Sequence, residues 1–262
     1  MKIIVMIKQV PGTSQVEVDP ATGVLKRDGV AGKMNPYDLF AVEEALRLRE
    51  RYGGTVNVIT MGPGQAGEVI REAVYIGADG GSLVSDRKFG GADVLATAYT
   101  LSQCIQAMGG ADLILCGKQT TDGDTAQVGP ETAEFLGIPH TTNVLSIDEV
   151  TADRVELTVN MDFCESVIAM PLPCLITMEK DVNTPRLPSI KRRFELGQVD
   201  YPVYSLADMK DTDPKHYGLN GSATQVERIF PPEKNTAKEI FEGSAAELSD
   251  KVLEILDSRK FI

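Results

Sequence analysis

The stretch "LILCGKQTTDGDTAQVGPETAEFLGIP", residues 113–139, decides how we interpret this chain. It begins with an apolar run typical of a buried strand, continues as a loop rich in Gly, Thr and Asp, and ends with helical spacing. Small polar residues at the exit of a buried strand allow backbone N–H groups to approach a bulky anion. We therefore predict that this loop binds a phosphate group.

The loop contains neither of the two common phosphate-binding fingerprints, GxGxxG and GxxxxGK[ST]. Gly117 and Gly123 would let the backbone come close to a ligand, and Asp124 or Thr125 is suited to cap the following helix. The alternative is an ordinary helix cap without a ligand. The loop is longer than the ~2–6 residues of a simple strand-to-helix connection, which favours a nucleotide.

Strands and helices alternate on both sides of this loop. Apolar runs predict five strands, separated by helical lengths, at residues 2–7, 55–62, 82–86, 112–116 and 140–147. This alternation predicts an α/β fold with a doubly wound parallel sheet. Ligands bind such sheets at the carboxyl ends of the strands, where "IKQVPG", "TMGPGQ" and "CGKQTTDGDTAQ" could meet in one crevice.

Other segments suggest small antiparallel additions. Residues 15–27 have the alternation and the turn residues of a hairpin, and residues 154–161 and 165–170 alternate like antiparallel strands. A further apolar run follows at residues 172–178, and then a Pro-rich exposed loop at residues 180–195.

The C-terminal part has a different character. Residues 201–238 are polar and irregular, and residues 244–261 have the spacing of an amphipathic helix. A long irregular segment suits an arm that lies across another subunit better than it suits a compact core. We therefore divide the chain into an α/β domain at residues 1–200, including an exposed loop at 179–193, and a C-terminal arm at 201–262.

Composition excludes several classes of protein. The net charge of −12 disfavours a nucleic-acid binder. No apolar stretch reaches the ~18 residues of a membrane span, and the short apolar N-terminus lacks a cleavage site, so a cytoplasmic protein is expected. Four cysteines without a CxxC pair and only two histidines disfavour a metal site. Cys104 and Cys116 fit core positions.

Several separated motifs resemble the beta subunit of electron-transfer flavoproteins: "NPYDLFAVEEALRL", "VITMGP", "IREAVYIGAD" and "DLILCGKQTTDGDTAQVGPETAEFLGIP". The resemblance extends from Lys2 to about Lys191, with a looser match beyond. It implies an adenine-nucleotide-binding, Rossmann-like fold and a heterodimer with an FAD-carrying alpha subunit. The nucleotide-binding residues that it implies are Met6, Asn35, Pro36, Tyr37, Asp38, Met61, Gly117, Lys118, Gln119, Thr120, Thr121, Asp122, Gly123, Asp124, Thr125, Ala126, Gln127 and Val128. Asn35 also fits the cap of the first helix.

Two subtypes of this family differ in the nucleotide. In one, the beta subunit binds a second FAD that accepts a hydride from NADH. The electrons then bifurcate to a low-potential acceptor (ferredoxin or flavodoxin) and, through the alpha-subunit FAD, to an acyl-CoA dehydrogenase-like partner, as in anaerobic metabolism. In the other, it binds AMP as a structural group and docks the dehydrogenase. "DGDTAQVGP", residues 122–130, is similar to the bifurcating type.

The NADH-binding face in the bifurcating subtype resembles "SDRKFGGADVLATAYT", residues 85–100. Here Arg87, Phe89, Gly90 and Gly91 lie between a strand and a helix, where a second anion could bind and Arg87 could neutralise pyrophosphate. The alternative is a flexible surface turn with a salt-bridged arginine.

The segment "NTPRLPSIK", residues 183–191, resembles the family's recognition loop for an acyl-CoA dehydrogenase. Leu187 would be its apolar anchor, with Lys191 and Arg192 as neighbouring cations. Charge alone favours a solvated surface turn at this basic cluster, and a docking patch for an acidic partner is the alternative.

A nucleotide-hydrolysing or adenylating enzyme of the same fold is the rival from another class. It would carry a Ser/Gly-rich loop after the first strand, where this chain has "IKQVPGTSQ". The final electron acceptor and the docking site of the low-potential acceptor are not encoded in a recognisable motif.

Overall fold

The computed structural model describes residues 1–12, 32–227 and 238–262. The hairpin predicted at residues 15–27 lies outside the described residues. The chain forms two compact units, Met1–Glu227 and Arg228–Ile262.

The first unit is built on one large sheet. Its strands, with those of a small hairpin, are β1 (Lys2–Met6), β2 (Gln9–Pro11), β3 (Gly32–Met34), β4 (Thr55–Met61), β5 (Gly80–Val84), β6 (Leu113–Gly117), β7 (His140–Val150), β8 (Arg154–Asn160), β9 (Glu165–Pro171), β10 (Cys174–Met178) and β11 (Val203–Tyr204). The helices are α1 (Pro36–Tyr52), α2 (Gly67–Ile76), α3 (Val94–Ala107), α4 (Val128–Leu136), α5 (Ile190–Leu196), α6 (Gly218–Gly221) and, in the second unit, α7 (Ala245–Ser258).

The nine strands of the large sheet follow the order β11-β5-β4-β1-β6-β10-β7-β8-β9. The pairs from β11 to β7 are parallel, and β8 and β9 add an antiparallel edge. The predicted doubly wound parallel sheet and its antiparallel additions are therefore confirmed. The strand β10 lies between β6 and β7, out of chain order, and is fully buried.

Helices cover both faces of the sheet. Ile3 and Val5 of β1 pack in the cluster that contains the buried faces of α1 and α2, whereas Ile4 and Met6 pack in the cluster that contains α3. A strand that is covered on both faces has no polar side, which explains its continuous apolar sequence. Cys104 and Cys116 are buried, as predicted.

The sheet register brings the strand ends together. Met6 of β1 lies opposite Ile59 of β4 and Cys116 of β6, so the carboxyl ends of these strands form one edge. The chain leaves β1 toward β4 on one side and returns as β6 on the other, which creates the switch point where such sheets bind ligands.

Residues 201–227 belong to the first unit, so the observed boundary lies beyond the one expected at residue 200. β11 adds a parallel strand to β5, and Leu206, Met209 and Tyr217 are buried in the core on the α3 side. These apolar anchors are too widely spaced to produce a periodic signal.

Residues 190–196 form helix α5, which corrects the expected surface turn. The Ser189 side chain caps this helix by accepting a hydrogen bond from the backbone N–H of Arg192 at 3.2 Å. The short length and the flanking prolines hide the helix from periodicity.

In the second unit, the predicted amphipathic helix is confirmed as α7. Ser244 and Glu247 form a capping box at its start. No helix within the described ranges is both long and apolar enough to span a membrane.

Candidate functional site

A cleft of about 710 Å³ lies at the carboxyl edge of the parallel strands. Twelve residues predicted to bind the nucleotide line it: Met6, Asp38, Met61, Gly117, Lys118, Gln119, Thr120, Gly123, Thr125, Ala126, Gln127 and Val128. The fold thus brings together the strand ends and the loop that were singled out as three separate motifs.

The other predicted residues lie behind the cleft or on its rim: Asn35, Pro36, Tyr37, Thr121, Asp122 and Asp124. Asn35 is fully buried and makes no side-chain cap with α1, contrary to expectation. Its amide donates to the carbonyl of Gln119 at 2.9 Å and accepts from the N–H of Thr121 at 3.3 Å. Asn35 therefore holds the loop at residues 118–127 in place from behind; we call this segment the phosphate loop after its predicted ligand.

Asp38 links two strand ends through its buried carboxyl group. One oxygen accepts from the N–H of Lys8, just after β1, at 2.8 Å, and the other accepts from the N–H of Gly117 in β6 at 3.2 Å. Burial raises the pKa of Asp38 to about 7, against the lowering effect of its hydrogen bonds. The carboxyl group is thus an internal support at the base of the cleft.

This raised pKa predicts a pH-dependent stability. The folded pKa of about 7 exceeds the ordinary 3.8, so the contribution of Asp38 is full below pH 4 and is lost as pH rises through about 7. We expect the difference in unfolding free energy between wild type and Asp38→Asn to fall by about 2–3 kcal/mol from pH 5 to pH 8. Urea unfolding across this range measures it.

Asp122→Asn is the control for this experiment. Burial acts to raise the pKa of Asp122, but Lys8 holds that pKa below its ordinary value, so the control difference should stay constant between pH 5 and pH 8. A constant difference for Asp38→Asn as well would contradict the raised pKa.

The phosphate loop ends in an arrangement of exposed N–H groups. Ala126 has a left-handed backbone (φ +57°) and Gln127 a right-handed one, a succession that turns consecutive N–H groups toward one point. Helix α4 follows directly with no side-chain cap, so neither Asp124 nor Thr125 caps it as expected. The open helix N-terminus and this turn together form a concavity that could hold an anion.

Two glycines let the backbone pack closely under the loop. A Cβ atom on Gly117 would lie 2.6 Å from the backbone carbon of Tyr37, and one on Gly129 would lie 2.8 Å from Cγ2 of Thr177. Glycine is thus required in the strand end as well as in the first turn of α4.

Cations surround the loop. Lys118 pairs with Glu179 at 2.9 Å, and Lys8 pairs with Asp122 at 2.8 Å. Lys8 lines the cleft but was missed as a site residue, although its motif "IKQVPG" had been singled out. The cleft is also lined by Pro63, Ser85, Asp86 and Thr97, which were missed as well. They stand inside motifs that had been singled out, but sequence reasoning did not show which residues of those motifs face the cleft.

The opposite side of the cleft is the loop at residues 85–93, which we call the β5–α3 loop. This side of the cleft is lined by the four residues that were predicted to share one binding surface: Arg87, Phe89, Gly90 and Gly91. Phe89, however, is buried, and its ring packs 5.4 Å from that of Tyr217.

The N-terminus of α3 is already occupied by a carboxylate. Asp93 caps it by accepting from the N–H of Ala96 at 3.0 Å. Burial acts to raise the pKa of Asp93, but hydrogen bonds from Ala96 and Thr224 hold that pKa below its ordinary value. This arrangement does not favour the second anion site expected at the helix start.

The predicted docking residues lie away from the cleft. Leu187 is 85% exposed and Lys191 is exposed, but Arg192 is half-buried and donates to the carbonyls of Val74 and Ala78 at 3.1 and 3.2 Å. Arg192 therefore attaches α5 to the end of α2.

Among the described residues, no group of three or more His, Cys, Asp and Glu side chains is arranged to bind a metal ion.

Comparison with known proteins gives a consistent result. The family model "Electron transfer flavoprotein domain" matches residues 22–202. The chain is 43% identical to the electron transfer flavoprotein subunit beta of Thermoanaerobacterium thermosaccharolyticum and 39% identical to that of Clostridium acetobutylicum, in both cases over the full length of both chains. It is also 40% identical to the protein FixA of Azorhizobium caulinodans, over 91% of this chain and 87% of the relative.

Proposed function

The chain belongs to the beta-subunit family of electron transfer flavoproteins, and we propose that it binds FAD in the cleft described above. In this proposal the bound FAD would supply the redox chemistry between NADH, as the hydride donor, and two one-electron acceptors. One acceptor would be a low-potential protein such as ferredoxin or flavodoxin, and the other the FAD of an alpha subunit. The electron-transfer complex then reduces an acyl-CoA dehydrogenase-like partner.

The observation that carries this proposal is the anion-binding turn at residues 126–128, which opens into a cleft of about 710 Å³. The cleft continues from this turn to the β5–α3 loop on its far side. A ligand that fills both regions needs a phosphate group at the turn and a further ring system that reaches the β5–α3 loop. A dinucleotide such as FAD meets this requirement, because its pyrophosphate lies between two ring systems.

The residues present fit such a ligand. The N–H groups of residues 126–128 and the start of α4 would bind phosphate oxygens, and Lys118 would add a positive charge. Apolar side chains of Met6, Met61 and Val128 lie along the same cleft. FAD, when bound, supplies the redox chemistry, while the chain supplies position and electrostatics.

The NADH site in this proposal is the β5–α3 loop. Arg87 is exposed at the cleft, and no carboxylate within the described part of the chain lies at salt-bridge distance from it. Its guanidinium group would therefore be available for a pyrophosphate. Gly90 and Gly91 line the same side of the cleft, next to Arg87.

Partner contacts are proposed on other surfaces. Leu187 would anchor the dehydrogenase, with Lys191 beside it. The second unit, residues 228–262, would pack on the alpha subunit through the apolar face of α7, which includes the exposed Val252 and Leu253.

One observation favours a second candidate, a beta subunit that binds structural AMP and docks the dehydrogenase. The Asp93 carboxylate occupies the N-terminus of α3, whereas α4 begins without a side-chain cap. A single phosphate, as in AMP, needs only the open N-terminus of α4.

The nucleotide content of the heterodimer purified with its alpha subunit separates the two candidates. We expect two FAD per heterodimer and bleaching of flavin absorbance when NADH is added without oxygen. One FAD with extractable AMP and no response to NADH would replace the bifurcating function with the structural one.

A further inference from the structure

Residues 205–224, which we call the strap, lie along the outside of the β5–α3 loop. The strap begins after β11 and carries the buried anchors Leu206, Met209 and Tyr217. The Tyr217 ring contacts Phe89 of the loop at 5.4 Å between centroids. Aromatic packing therefore holds the strap against the back of the cleft wall.

Hydrogen bonds join the strap to both ends of the loop. At the first end, the N–H of Leu206 donates to the Asp86 carboxylate at 3.1 Å. In the middle, the N–H of Leu219 donates to the Gly90 carbonyl at 3.1 Å.

At the second end, Asp93 is bonded to the strap in both directions. Its N–H donates to the Ser222 hydroxyl at 2.8 Å. One carboxylate oxygen accepts from the N–H and the hydroxyl of Thr224, at 2.8 and 2.9 Å. The other oxygen caps α3 through Ala96. Asp93 therefore fixes the loop end to α3 and to the strap at the same time.

The strap packs so closely against the loop that no space remains for a side chain at Gly218. Gly218 has φ +56°, and a Cβ atom there would lie 2.1 Å from the Lys88 carbonyl oxygen and 2.8 Å from that of Gly90. The strap backbone thus rests directly on the loop backbone, so the position of one determines the position of the other.

We infer that the strap, through Ser222 and Thr224, positions the β5–α3 loop for the ligand that binds on this side of the cleft. Ser222 and Thr224 are positioning residues because they act on the ligand only through Asp93 and its neighbours. The identity of the ligand as NADH rests on the proposed function. The positioning of the loop does not depend on it.

The test uses the heterodimer purified with its alpha subunit, with the double variant Ser222→Ala/Thr224→Val. This variant removes both hydroxyl groups that bond to Asp93. We expect amide hydrogen exchange at residues 87–92 to accelerate about tenfold and the Kd for NADH to rise about tenfold, the effect of roughly 1.4 kcal/mol in lost hydrogen bonds. The kcat at saturating NADH and the flavin content should stay unchanged, because the phosphate loop is untouched.

Thr224→Ser is the matched control, since it keeps the hydroxyl group and should retain wild-type exchange and Kd. Unchanged exchange at residues 87–92 in the double variant would overturn the inference. So would faster exchange in a protein whose NADH affinity stays at the wild-type value. If exchange accelerates but wild type itself does not respond to NADH, the positioning role is supported and the NADH assignment fails.

Discussion

Gly117→Ala should abolish nucleotide binding. The added methyl group would lie 2.6 Å from the backbone carbon and Cβ of Tyr37 and 2.7 Å from a carboxylate oxygen of Asp38. The clash lies between the end of β6 and the start of α1, and neither backbone segment can move aside at a low cost in free energy. Such overpacking costs roughly 1–3 kcal/mol. The same displacement breaks the hydrogen bond from the Gly117 N–H to Asp38, and it separates α1 from the phosphate loop.

We expect the nucleotide released per chain on denaturation to fall at least about tenfold, which corresponds to about 1.4 kcal/mol. Gly64→Ala is the control, because a Cβ atom there would meet no atom within 4 Å and Gly64 is not among the residues that line the cleft. Nucleotide content equal to wild type in Gly117→Ala would show that the strand end does not support the site.

Among the substitutions that we propose, Arg186→Ala should cause the largest decrease in the free energy of unfolding. Arg186 binds the Glu43 carboxylate through its backbone N–H and its guanidinium group, at 2.9 to 3.1 Å, and binds Glu50 at 2.6 Å. Glu43 is 3% exposed. Burial acts to raise the pKa of Glu43, but hydrogen bonds from Arg186 and Arg47 hold that pKa below its ordinary value. Arg186→Ala leaves the buried Glu43 carboxylate with only the half-exposed Arg47 as a charged partner, at a cost of about 3 kcal/mol.

Urea unfolding at pH 7 measures this loss, with Arg47→Ala as the control. Arg47 also binds Glu43, at 2.8 Å, but its side chain is 47% exposed, so we expect a loss below about 1 kcal/mol. The difference in unfolding free energy between wild type and Arg186→Ala should decrease as pH falls, because protonation of Glu43 removes the buried charge. An Arg186→Ala protein within about 0.5 kcal/mol of wild type would contradict this account.

Arg186 also bears on docking because it precedes Leu187 in the exposed segment. The ion pairs with Glu43 and Glu50 hold this segment on α1. If Leu187 anchors a partner as proposed, Arg186→Ala should weaken docking although the anchor itself is unchanged.

The sequence also carries enough information to locate the candidate site. The glycines and small polar residues after the fourth predicted strand indicate an anion-binding loop, and residues 126–128 lie at an open helix start. Sequence reasoning does not separate the residues that line the cleft from those that support it. Asn35 and Asp38 stand in one motif, but Asp38 lines the cleft and Asn35 does not. Asn35 is bonded to the backbone of the phosphate loop, and Asp38 to the backbone of the strand ends.

The sequence by itself determined the α/β class, the parallel strands and the place of the glycine-rich loop after β6. Each of these depends on residues close together in the chain, so apolar periodicity and glycine placement record them directly. Only the tertiary structure decided that β10 lies between β6 and β7, and that residues 201–227 fold onto the first unit. It alone placed the Asp93 carboxylate at the start of α3. The bond between Thr224 and Asp93 spans 131 residues. A contact between residues so far apart leaves no local pattern, because it depends on the packing of the whole core.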